Sequence, residues 1–62
     1  MKIPDVGSIK TAGEARDMAI EWQDWQSEQS LSIGELASWG AFFRSLARKF
    51  DLRDEFEENG II

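Results

Sequence analysis

Three features of this chain predict an all-α fold: a helical hairpin of two capped amphipathic helices, closed by a short third helix and overlaid by an extended N-terminal arm. Its 62 residues suffice for one modest core and therefore one domain. Apolar side chains recur at intervals of three and four through two long segments, the period of a helix with one buried face. Each of those segments opens on Thr or Ser followed three residues later by Glu, the sequence form of a capping box.

Residues 1–10 form the arm, in which Ile3, Val6 and Ile9 stand three apart around Pro4, Gly7 and Ser8. Residues 11–62 form the three-helix domain. Thr11-Ala12-Gly13-Glu14 starts the first helix at Ala12, with the Thr side chain accepting from the Glu14 amide and the Glu14 carboxylate reaching back to the Thr11 amide. Ala15, Met18, Ala19, Trp22 and Trp25, continued by Gln29, line its inner face. The polar run Ser27-Glu28-Gln29-Ser30 suits a short connection. Ser32-Ile33-Gly34-Glu35 repeats the capping box, with Leu31 and Leu36 at the positions of a hydrophobic staple.

From there Leu36, Trp39, Phe43, Leu46 and Phe50 make a heptad-like stripe, with small Gly40 and Ala47 beside it permitting close helix crossing. Arg44, Arg48 and Lys49 gather toward the C-terminal end, where the helix dipole favours cations. Asp51 is placed to cap a third helix whose inner side holds Leu52 and Phe56. Asn59-Gly60 reads as its stop, with glycine in a left-handed conformation folding Ile61 back onto the last turn. The two long segments also align at an offset of 21, Thr11 on Ser32 and Glu14 on Glu35 among others, a match that shared capping and periodicity largely produce without duplication.

Seven basic against twelve acidic residues give a net charge of -5 and a pI near 4.5. Direct nucleic-acid binding is disfavoured, because it is driven by counterion release on contact with Lys and Arg. The chain has no His, Cys or Tyr, which excludes disulfides, thiolate nucleophiles and thiolate or imidazole metal sites. Without those groups the usual activated nucleophiles lack a partner, and a carboxylate pair of the glycosidase kind needs a cleft that so small a core is not expected to build. No enzymatic activity and no cofactor are expected. The N-terminus lacks the apolar stretch of a secretion signal, and runs such as Ala41-Phe42-Phe43 fall far short of a membrane span, so a cytoplasmic protein is expected.

The acidic run from Asp51 to Glu58 has carboxylates enough for calcium, yet Phe56 stands where an EF-hand loop needs glycine. A solvated helix face accounts for it more simply. Ser32-Ile33-Gly34-Glu35-Leu36-Ala37 resembles the opening of the helix-turn-helix in MerR-type regulators, but Trp39-Gly40-Ala41-Phe42-Phe43 continues on an unbroken helical period where the turn should follow. A degenerate helix-turn-helix regulator is the weakest of the readings.

On the first helix Glu14, Asp17, Glu21, Asp24 and Glu28 fall at steps of 3, 4, 3 and 4, a carboxylate stripe along roughly 20 Å at 1.5 Å per residue. With Asp54, Glu55, Glu57 and Glu58 in the third helix, they account for nine of the twelve acids. Like charges at this spacing weaken a helix by a few tenths of a kcal/mol per pair. One account makes the stripe a solvated flank, partly neutralised by Arg44, Arg48 or Arg53 from other helices. The other makes the nine acids a surface for a protein partner with a basic face, found through long-range attraction.

The aromatics Trp22, Trp25, Trp39, Phe43, Phe50 and Phe56 fit core-facing positions. Phe42 lies off the stripe and Ile20 is similarly displaced on the first helix; each is either covered by the arm or exposed as an apolar contact. In the second case the protein is a self-associating helical module, a weak homodimer rather than a monomer, whose acids only confer solubility.

Taken together, Trp22-Gln23-Asp24-Trp25, Gln29-Ser30-Leu31-Ser32, Glu35-Leu36 and Glu55-Phe56-Glu57-Glu58-Asn59-Gly60-Ile61 resemble short proteins encoded by bacteriophages and integrative mobile elements, over residues 11–61. The resemblance implies a setting in a bacterial host and stoichiometric binding to host machinery, as anti-restriction and anti-CRISPR inhibitors do. It assigns no functional residue.

Overall fold

The computed structural model describes residues 2–62. Among them are three α-helices, α1 (Ala12–Ser27), α2 (Ile33–Phe50) and α3 (Arg53–Glu58), one short 3-10 turn at Val6–Ser8, and no strand. The all-α architecture follows the sequence expectation. Helix α2 is the hub, with α1, α3 and the Val6–Ser8 turn all packed on it.

Both long helices begin where their caps require. The Glu14 amide donates to Thr11 Oγ1 at 3.1 Å, but the Glu14 carboxylate takes the Lys10 amide rather than that of Thr11, so this box closes one residue upstream. At α2 the box is complete, the Glu35 amide donating to Ser32 Oγ and the Ser32 amide to Glu35 Oε1. Helix α3 ends as expected. Gly60 adopts φ 72°, its amide donates to the Glu57 carbonyl, and the Ile61 amide donates to the Phe56 carbonyl at 2.8 Å. That pair of bonds is the Schellman pattern, and it buries Ile61 in the core beside Phe56.

Asp51 corrects the expectation made for it. Instead of capping α3 it terminates α2 in the left-handed conformation, φ 57° and ψ 46°, and α3 begins from Leu52 with no side-chain cap. With two residues between the helices, the first must reverse the chain, and the Leu52 amide then donates to the Ala47 carbonyl. Asp tolerates this conformation better than most residues but still carries a Cβ penalty.

The core is aromatic and centred on Phe43, whose ring centroid lies 5.0–6.0 Å from those of Trp22, Trp39, Phe42 and Phe56. Such pairs contribute about 0.5–1.5 kcal/mol each beyond the area they bury. The Trp22 indole Nε1 is buried without a hydrogen-bond partner, a cost of about 1–3 kcal/mol that the ring contacts must offset. Met18, Trp25, Leu31 and Phe50 are half-buried at the margin of this cluster.

Four further expectations are resolved or changed. Phe42 is 5% exposed and part of the core, so it is not an apolar contact for a partner. Lys49, two turns along the same side of α2, donates through Nζ to the carbonyls of Val6 and Ile9, which brings the arm across that side. The arm itself is not simply extended, since Asp5 accepts from the Gly7 amide and starts the Val6–Ser8 turn. Leu36, expected in the core stripe, is 43% exposed. Phe43 and Ala47, seven and eleven residues on and on the same side of the helix, are buried, so Leu36 is exposed because of its place in the first turn of α2 rather than because of its face. Gly40 likewise serves no helix crossing, because the space of its missing Cβ is bounded by the Arg44 guanidinium at 3.3 Å.

Candidate interaction surface

The Thr11 cap fixes the start of α1, and Ala15, Ala19 and Trp22 fix its rotation by entering the core. Those two constraints leave Glu14, Asp17, Glu21, Asp24 and Glu28 exposed on the outer side. Two ion pairs occur among the described residues, and neither uses the stripe. Arg16 Nε meets Glu55 Oε2 at 2.8 Å, tying α1 to α3, and Arg53 Nε meets Glu57 Oε1 at 3.2 Å within α3. A second tie between α1 and α3 is the Gln23 side-chain amide donating to the Asn59 carbonyl.

The nine acids singled out in the sequence therefore divide. Glu55 and Glu57 are engaged by arginines, whereas Glu14, Asp17, Glu21 and Asp24 of α1, Glu28 at its C-cap, and Asp54 and Glu58 are exposed and outside any ion pair among the described residues. Arg44, Arg48 and Arg53 do not neutralise the stripe. They line, with Ala47, Glu57 and Ile62, a groove of about 430 Å³ between the C-terminal half of α2 and α3. The acids of the stripe and Arg44 and Arg48, all unpaired among the described residues, thus lie on different helices of one small molecule, 29 × 24 × 17 Å in its principal extents.

Ile20 is 60% exposed and stands between Asp17, Glu21 and Asp24 at helical spacings of three, one and four. It also edges a smaller groove toward α3 with Ala19, Gln23 and Phe56. Ile33, 87% exposed at the first turn of α2, was not singled out in the sequence. Its position well off the inner stripe was the available signal.

Among the described residues no charged side chain is buried, no cluster of carboxylates is grouped to hold a metal ion, and no helix is long and apolar enough to cross a membrane. Helix α2 runs unbroken from Ile33 to Phe50, without the turn that a helix-turn-helix would place after its opening. No family model, no curated protein and no solved structure matches this chain.

Proposed function

We propose that the protein is a stoichiometric, non-enzymatic binding module that presents the outer face of α1 to a protein partner with a basic surface. Glu14, Asp17, Glu21, Asp24 and Glu28 supply the charge, Ile20 an apolar contact within it, and Asp54 and Glu58 flanking charge. The carrying observation is that five exposed carboxylates line one helix side while the chain's own arginines are directed elsewhere. Glu55 and Glu57 drop out of the contacting set because they hold Arg16 and Arg53.

Fixed charge on a rigid helix steers encounter and suppresses partners of like charge more than it adds affinity. An exposed isoleucine between the acids offers what charge alone lacks, apolar area to remove from water on docking. The setting is that of an accessory protein of a phage or mobile element in the bacterial cytoplasm, acting as an anti-defence inhibitor or as a mimic that meets a protein surface built to hold phosphates. Direct binding of nucleic acid and membrane attachment form no part of this reading.

The test is affinity capture from host lysate followed by mass spectrometry, with the wild type beside a variant carrying Glu14→Lys, Asp17→Lys, Glu21→Lys and Asp24→Lys. Capture is expected to be salt-sensitive and to vanish in the variant while its helical circular dichroism persists. Equal capture by both proteins would sink the electrostatic reading.

A further inference from the structure

We infer that the groove between α2 and α3 receives the α1 face of a second copy of this chain, so that the protein associates head to tail. The groove is lined by Arg44, Arg48, Arg53 and Glu57 with apolar Ala47 and Ile62; Arg53 is paired with Glu57 and Ala47 is almost wholly covered, so Arg44, Arg48 and Ile62 are what it offers to an incoming surface. Arg44 and Arg48 are exposed and enter no ion pair among the described residues. The α1 face has the converse chemistry: exposed Ile20 is bordered on one side by Asp17, Glu21 and Asp24, all outside any ion pair among the described residues, and on the other by Gln23 and by Arg16, which Glu55 holds. Isoleucine meets the part-exposed Ile62, and carboxylates fit the guanidinium groups of Arg44 and Arg48, which pair with them through parallel N–H···O bonds.

The two surfaces lie on different helices and form no ion pair with each other within one chain, so complementarity is satisfied between chains. Each copy then offers one acidic face and one groove. Such a heterologous contact leaves an unfilled surface at each end and grows into short chains or a closed ring. A net charge of -5 opposes assembly. At about 0.1 M salt repulsion beyond about 10 Å is screened while the short contacts persist, and near 1 M the contacts weaken as well. The association is therefore weak and reversible, and because it covers the face proposed for the partner, it competes with partner capture without depending on it.

Sedimentation equilibrium tests this on the full chain, with circular dichroism checking helicity. The wild type should gain mass between micromolar and millimolar concentration and revert toward monomer in high salt. An Asp17→Asn, Glu21→Gln, Asp24→Asn variant and an Arg44→Gln, Arg48→Gln variant should each remain monomeric alone. Their equimolar mixture, in which both partners stay net negative, should form a heterodimer and stop at two copies, because one intact groove meets one intact acidic face. A wild type that stays monomeric throughout, either variant associating alone, or a mixture that stays monomeric would each overturn the inference. The arginine variant separates it from the partner reading, since it should capture the lysate partner as the wild type does while losing self-association.

Discussion

Helix α1 buries Ala15, Ala19 and Trp22 along 16 residues, whereas α2 buries Trp39, Phe42, Phe43, Leu46 and Ala47 along 18. Both begin at a side-chain cap with Glu three residues on, and both run on the same three-and-four period. The difference lies in what surrounds them. Helix α2 is packed on by α1, α3 and the arm, so little of its girth past Trp39 stays apolar and exposed. Helix α1 buries only two alanines and a tryptophan, with Ala12, Met18 and Trp25 half-buried beside them, and its outer side carries the charge together with exposed Ile20. The contrast teaches that α2 is shaped by packing and α1 by the surface it shows.

The largest effect should come from the packed helix. Phe43→Ala removes the ring on which Trp22, Trp39, Phe42 and Phe56 converge and should cost about 3–5 kcal/mol, as large-to-small aromatic changes in cores do. In a domain whose total stability is only about 5–15 kcal/mol this approaches unfolding, visible as a collapse of the urea midpoint. A loss below about 1 kcal/mol would show that α2 is not the organising element.

A smaller change, opposite in sign, is expected at the end of the same helix. Asp51→Gly relieves a side chain held at φ 57° and should stabilise by about 0.5–1 kcal/mol. For a domain of this size that is a rise of about 2–8 °C in thermal midpoint. A fall would mean that the Asp51 carboxylate contributes more than its strain costs.

The smallest effect belongs to α1. Glu21→Lys replaces repulsion with Asp17 and Asp24 by attraction at the same spacings and should stabilise by a few tenths of a kcal/mol, a shift of about 1–4 °C. Stabilisation with loss of partner capture is the signature of a residue kept for its surface. Destabilisation would make the stripe part of the folding apparatus and erase the contrast between the helices.

Much of the fold was legible because its signals are local. The caps at Thr11 and Ser32, the stop at Gly60 and the faces of both long helices all depend on residues within about one turn of each other. The acidic stripe was legible for the same reason, and its exposure follows once Ala15, Ala19 and Trp22 turn inward. The burial of Phe42 was not, because it belongs to a core cluster that also takes in Ile9 of an arm more than 30 residues away in sequence, and Lys49 holds that arm on α2 through the carbonyls of Val6 and Ile9. Asp51 misled for a different reason, since an Asp before a short helix reads as a cap whether the chain needs a start or a reversal.

Sequence alone determined the class of fold, the starts of the two long helices and the carboxylate face of α1, since each rests on interactions between near neighbours. The tertiary structure decided which carboxylates are free. Arg16 reaches across 39 residues to Glu55, Arg53 turns to Glu57 within α3, and Arg44 and Arg48 join Arg53 around a groove rather than along the stripe. Charges are counted in a sequence, but their pairing depends on distance in space, and that is set by how three helices and an arm close around Phe43.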